Sequence, residues 1–355
     1  MEHWQPLAAP TLVGSMPHKD RTKAIALVLD AVPEVPVWPQ LSAIPSEQMT
    51  VQYLEGLPGI WPQDAPLICQ TDDPGFEREL YDFYEAYLEV AEGGGDLSTS
   101  RFGFGPDTGR TFRQFLDTLK QTPSSFLAVK GQIIGPFTLL TTLKDQQERA
   151  LIYHEEMQEV VVKHLSLKAK WQIDQLQAFG RPVILFLDEP ALAGFGSSAY
   201  LAISEALVLK LLREVVEAVH QAGALAGIHV CANTDWQVVF TSGVEVVNFD
   251  AYNYFDKFLL YQDSLLDFLK RGHFVAWGMI PTDDPERIAR TTPETLARLW
   301  LERIAPLVKP PWSLSKILSR SLFTPSCGCG SLPEASAEQV LRLTSGLSQL
   351  IRAHL

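Results

Sequence analysis

An alternation constrains this chain more than any other feature of its sequence. Short apolar runs cover residues 11–14, 36–39, 127–134, 183–187, 225–230, 244–249, 274–279 and 317–323, and they end in polar, Gly or Pro residues. Helical periodicity lies over 19–31, 146–179, 202–222, 261–270 and 294–308. Strands alternating with helices need crossover connections and therefore a parallel sheet. About eight such strands predict a closed (β/α)8 TIM barrel, an α/β fold, rather than an open sheet. The 355 residues fit one such domain over 1–355, although a length prior also allows two smaller ones. In the N-terminal third, residues 49–53 and 67–70 compete for one strand place. Gly93-Gly94-Gly95 and Arg101-Phe102-Gly103-Phe104-Gly105-Pro106 read as a long loop. On a barrel such a loop lies over the C-terminal face or is a plain connection. Val340, Leu341, Leu343, Leu347, Leu350 and Ile351 recur at helical spacing and predict a closing amphipathic helix over 337–355.

Composition narrows the class further. Hydrophobic residues make up 46% of the chain and charged residues 20%, which supplies a full core and excludes a mostly disordered chain. The net charge of -13 argues against general affinity for nucleic acid or anionic membranes. No apolar run approaches the ~20 residues of a membrane helix. Met1-Glu2-His3-Trp4-Gln5 has neither the basic nor the apolar region of a signal peptide, so a cytoplasmic location is expected. Four cysteines (Cys69, Cys231, Cys327 and Cys329) are too few for a disulfide scaffold and read as thiols or ligands.

The chemistry concentrates at strand ends. His229-Val230-Cys231 closes an apolar run, and residues i and i+2 of a strand point the same way. Imidazole and thiolate are good Zn²⁺ ligands. Ser326-Cys327-Gly328-Cys329-Gly330 follows the last predicted strand, whose end opens on the same face of a closed barrel. Asp250 ends the intervening strand and can supply an oxygen ligand. The competing readings are packed core residues and a Cys327–Cys329 redox pair. Cys69 reads as structural. Polar residues end four other strands, in Gly14-Ser15-Met16-Pro17-His18, Gly135-Pro136-Phe137-Thr138, Asp188-Glu189-Pro190 and Thr282-Asp283-Asp284. At the C-terminal end of barrel strands such residues read as functional. Singly, each is also a turn or a cap; Asp188-Glu189-Pro190 could cap the following helix.

Jointly these elements resemble the catalytic domain of cobalamin-independent methionine synthase. His229-x-Cys231, Ser326-Cys327-Gly328, Gly14-Ser15-Met16-Pro17, Gly135-Pro136-Phe137-Thr138 and Asp188-Glu189-Pro190-Ala191 carry the resemblance over about residues 11–330. The wider superfamily includes uroporphyrinogen decarboxylase and corrinoid-linked methyltransferases, all (β/α)8 barrels. The resemblance implies zinc held by His229, Cys231 and Cys327, with Asp250 where the family has glutamate. It implies that Asp188 holds the amino group of homocysteine, that Ser15 helps bind its carboxylate, and that Glu55 is the second carboxylate on the amine. Departures accompany it. The plant and enterobacterial enzymes carry a second, N-terminal barrel of similar size, and only the catalytic one is expected in this chain. Leu139-Leu140-Thr141-Thr142 lacks the tryptophan that stacks on folate, and Ile280-Pro281-Thr282-Asp283 lacks the histidine that protonates it. The chain is similar instead to short one-barrel relatives that take methyl from methylcobalamin or a methyl-corrinoid protein. A corrinoid leaving group needs no proton. Alternatives are transfer to another thiol, such as coenzyme M, and a uroporphyrinogen decarboxylase-like reaction; the latter family carries an N-terminal arginine motif, and residues 4–19 hold no arginine.

Overall fold

The computed structural model describes residues 4–60, 67–122 and 126–355; the first three residues of the Met1–Gln5 reading lie outside them. Eleven strands run in chain order among the described residues: β1 Ala9–Pro10, β2 Ser15–Met16, β3 Gln40–Leu41, β4 Ile68–Cys69, β5 Val129–Ile134, β6 Lys144–Asp145, β7 Val183–Asp188, β8 Leu225–Val230, β9 Val246–Phe249, β10 Phe274–Ile280 and β11 Ser321–Pro325. Seven of them form one parallel sheet in the order β1-β11-β10-β9-β8-β7-β5. The sheet curls, and pairing continues beyond both edges. β2 pairs with β3 in parallel, and a parallel bridge joins Val37 to Lys130 of β5. The result is a barrel-like α/β fold. β4 and β6 pair with each other outside the main sheet.

Helices cover the outside. Glu155–Gln177 crosses from β5 to β7, Glu205–Gln221 from β7 to β8, and Pro293–Ile304 precedes β11; Glu334–Arg352 closes the fold. Every residue of β5, β7, β10 and β11 is buried. Both faces of these strands are covered, which explains why they read as continuous apolar runs rather than alternating ones. One apolar cluster fills the space between sheet and helices. A smaller one, including Ala9, Ile184, Phe186, Val246, Ala276 and Leu322, fills the inside at the N-terminal ends of the strands. Strand parity then dictates what stands above it. Asp188 follows Ile184 and Phe186 on one face of β7, and Asn248 follows Val246 on β9. Gly227 belongs to this inner layer because a Cβ there would lie 2.2 Å from the Phe186 ring.

The N-terminal third departs from expectation. The run 11–14 carries no ladder of its own; pairing occurs on either side, at β1 and β2. Residues 36–39 pair only through the Val37 bridge before β3 begins. Residues 51–53 form a 3-10 turn, and 68–69 pair outside the main sheet, so neither segment supplies the missing strand. Two helices, Phe76–Ala91 and Arg110–Gln121, arise where none was expected. The stretch 314–318 is helical, so the last strand begins at Ser321. The glycine-dense loop is tied down from below. Glu55 accepts from the Gly105 amide (2.9 Å) and the Thr108 hydroxyl (2.5 Å), and Lys168 donates to the Gly103 carbonyl (2.9 Å). Among the described residues no helix is long and apolar enough to cross a membrane.

Candidate metal centre and its cavity

β8 and β11 deliver the three residues of the centre. The His229 nitrogen and the Cys231 and Cys327 sulfurs all lie within 4.8 Å of one another. His229 is a ladder residue, held between Asp188 of β7 and Asn248 of β9 by register. Cys231 continues the same face just past the end of β8. Cys327 stands on a loop that the N-terminal segment supports. The Cys329 amide donates to the Ser15 carbonyl (2.9 Å), the Ser326 amide to Ile280 (2.8 Å), and the Ser42 hydroxyl to the Gly330 carbonyl (2.6 Å). A Cβ at Gly328 would lie 2.0 Å from the Ser15 Oγ, so a larger residue there would displace that hydroxyl.

The tautomer of His229 follows from its neighbours. Asn248 Nδ2 donates to the Ala276 carbonyl and the Thr324 hydroxyl, both at 2.8 Å. Its Oδ1 therefore faces His229 Nδ1, 2.6 Å away, and Nδ1 carries the proton. His229 Nε2 keeps its lone pair, is buried, and meets no hydrogen-bond partner among the described residues. Burial lowers the imidazole pKa to about 4, which keeps the ring neutral, the form that ligates metal. The two sulfurs share a proton: the hydrogen bond from Cys327 lowers the Cys231 thiol, and the same bond raises that of Cys327. An orphaned Nε2 with its Nδ1–H anchored, facing two sulfurs of which one ionises readily, fits a borderline-soft cation such as Zn²⁺.

Above the centre lies a cavity of about 360 Å³, lined among others by Val13, Gln40, Ser42, Met49 and Pro190. Ser15 and Asp188 also line it. Asp188 is buried and its Oδ1 has no hydrogen-bond partner among the described residues. Burial raises its pKa, and the buried Lys130 opposes that rise. Lys130 Nζ donates to the Val13 carbonyl (2.7 Å) and lies 4.3 Å from the Phe186 ring centroid. The neighbouring Glu189 turns away. It accepts from the Phe137 and Thr138 amides (2.9 and 2.8 Å) and the Thr138 hydroxyl (2.6 Å), capping the helix Pro136–Thr142. The cap thus serves the preceding helix, not the following one.

Two predicted site residues are engaged elsewhere. Both carboxylate oxygens of Asp250 accept from Asn253, Oδ1 from its amide (2.9 Å) and Oδ2 from its side chain (2.8 Å), so Asp250 caps the helix Ala251–Leu259 beside the centre. Glu55 pins the 100s loop and is not among the cavity-lining residues. Cys329 is buried, with burial pushing its thiol up to about 12, and it stands outside the three-residue cluster. Asn248 and Lys130 escaped sequence reasoning. A lysine inside the apolar run 127–134 was a visible signal, as was an asparagine two residues before Asp250 on the same strand face.

Comparison places the fold. No sequence-family model matches the chain, and no curated protein sequence matches it. Among solved structures it resembles a Listeria monocytogenes protein provisionally named a vitamin-B12-independent methionine synthase, with a TM-score of 0.51 at 14% identity. The alignment covers 97% of this chain and 98% of that one, so the whole architecture is shared.

Proposed function

We propose that this chain is a zinc-dependent methyltransferase of the methionine synthase type, a cytoplasmic single (β/α)8 barrel over 1–355 that methylates the thiol of homocysteine. The barrel reading joins β2, β3 and the Val37 bridge to the seven-stranded sheet as its closing pair of strands. One observation carries the function: the open Nε2 of His229 and the sulfurs of Cys231 and Cys327 converge beneath a small cavity that Asp188 also lines. Zinc held by these three would lower the pKa of a substrate thiol, which is otherwise about 8.5 and mostly protonated near neutrality. The residues do the rest. Asp188 Oδ1 accepts from the substrate ammonium. Ser15, with Gln40, offers hydrogen bonds to its carboxylate. Val13, Met49 and Pro190 wall the methylenes and exclude water. Held this way, the sulfur lone pair attacks the methyl carbon in line, and the bond to the donor breaks with its electron pair staying on the donor.

The donor we propose is methylcobalamin or a methyl-corrinoid protein. Cob(I)alamin leaves without a proton, and among the described residues the cavity lining holds no arginine or lysine for a folate tail. A lining without arginine or lysine disfavours coenzyme M, an anionic thiol without an amine, and the poly-carboxylate substrate of a uroporphyrinogen decarboxylase. The test is incubation of zinc-loaded protein with methylcobalamin and L-homocysteine. Homocysteine-dependent loss of methylcobalamin absorbance with methionine formed in equal amount is expected. Stoichiometric zinc without methionine from either free methylcobalamin or a methyl-corrinoid protein would overturn the assignment.

A further inference from the structure

On the far side of the Cys327 loop, three residues carry polar atoms that also converge within 4.8 Å of one another: His18, Glu334 and Glu338. His18 follows β2 by two residues, and Glu334 and Glu338 lie one turn apart at the start of the helix Glu334–Arg352. The His18 side chain is fully buried, and neither ring nitrogen makes a hydrogen bond among the described residues. Its Nε2 points at both carboxylates, 3.8 Å from Glu334 and 3.6 Å from Glu338. These separations exceed the ~3.2 Å limit of an N–H···O bond. They lie close to the ligand-to-ligand spacing around a tetrahedral zinc, about 3.4 Å for bonds of about 2.0–2.1 Å. Burying an imidazole with both nitrogens unsatisfied is costly, and a cation on Nε2 removes part of that cost.

We infer that His18, Glu334 and Glu338 form a second divalent-cation site, distinct from the cysteine centre and of the nitrogen–oxygen class that takes Zn²⁺. One neutral imidazole and two carboxylates cancel the charge of a divalent ion. The imidazole favours zinc-like cations over Mg²⁺ or Ca²⁺. In this structure Lys23 occupies the cationic role. Its Nζ lies 3.2 Å from Glu334 and 2.9 Å from Glu338, touching the same oxygens that face His18. The Lys23 side chain is 46% exposed, so the ammonium can withdraw into solvent when the metal enters. Glu334 is 48% exposed, which leaves an outward position for water in the coordination sphere. A cation here would tie the segment after Ser15 to the helix that follows Cys327, bracing both supports of the loop that carries the third cysteine-centre ligand.

The test removes the cysteine centre with Cys231→Ser and Cys327→Ser and titrates the protein with Zn²⁺ by calorimetry and metal analysis. About one bound zinc per chain is expected. Glu338→Gln in that background should abolish it, and Lys23→Met should tighten it at least about tenfold, because a like charge is gone. No zinc in either the background or its Lys23→Met derivative would overturn the inference, as would zinc retained after Glu338→Gln. Should the serine variant not fold, Co²⁺ titration of the unaltered protein decides. A second equivalent that adds weak visible bands without sulfur-to-cobalt charge transfer supports the site, and saturation at one equivalent overturns it.

Discussion

Strands β7, β8 and β10 run for six or seven residues, whereas β1, β2 and β3 pair over two each. The two regions are held in place by different means. In the long strands the backbone ladder sets position, and register alone places Asp188, His229 and Asn248 side by side. In the short ones buried side chains replace the ladder. Thr11 donates to the Val35 carbonyl (2.9 Å), Lys130 to Val13 (2.7 Å), Gln132 to Trp38 (3.0 Å), and Tyr53 to Gln132 (2.7 Å). Glu47, fully buried, accepts from Arg21 and from the Thr111 hydroxyl (2.6 Å). A side-chain substitution should therefore cost function in the first region and fold in the second.

The sharpest way to break that contrast is at the centre. Cys327→Ala should lose stoichiometric metal and all methyl transfer, while its metal-free form unfolds at nearly the temperature of the metal-free parent, and Cys329→Ala should keep its metal. Metal analysis beside thermal melts reads both, and full zinc in Cys327→Ala would refute the ligand assignment. Next in size is Glu47→Ala, which strands a partly buried guanidinium. It should cost about 3–5 kcal/mol in urea unfolding, with metal content per folded molecule unchanged. A loss below about 1 kcal/mol, the scale of one ordinary hydrogen bond, would mean that the short strands hold themselves.

Asn248→Ala tests the ladder side more finely. It removes the acceptor that fixes the His229 tautomer and should weaken zinc about 10–100-fold without changing the unfolding midpoint of the apo protein by more than a few degrees. Competition with a chromophoric chelator measures this. The smallest effect is electrostatic. Glu245, 2.8 Å from His220, raises the histidine pKa. The pair's contribution is fully present below the unfolded value of ~6.5 and fades as pH rises through the higher folded value. Both groups are partly exposed, so the contribution is under about 1 kcal/mol. The melting temperature of the parent should fall relative to that of His220→Gln as pH climbs from 6 to 8.5; parallel curves would remove the pair from the account.

The same contrast explains what the sequence made legible. β5, β7, β8, β9 and β10 were visible because strands buried on both faces leave unbroken apolar runs, and period-two parity brought His229 and Cys231 together. The N-terminal third was not, because its positions depend on partners remote in sequence: Lys130 and Val13 are 117 residues apart, Tyr53 and Gln132 79. Parity also cannot choose between two residues on one strand face. It offered Asp250, while the register opposite His229 selects Asn248 as the contact. Glu189 was ambiguous for a related reason, since the helix it caps begins more than 50 residues upstream. The helix Phe76–Ala91 was readable in principle from Phe76, Leu80 and Phe83, spaced four and three apart.

The loop carrying Cys327 rests on Ser15, and the last helix anchors to the same end of the chain, with the Ser348 hydroxyl donating to the Ala8 carbonyl (2.7 Å). This has a consequence for biosynthesis. A nascent chain that has emerged only as far as β10 already carries His229 and Cys231 but neither the third ligand nor the segment that seats it on Ser15. Metal loading at the proposed centre would therefore wait for β11 and the loop after it. Without zinc, the proposed centre would leave the readily ionised Cys231 thiol at the floor of the cavity, open to oxidants.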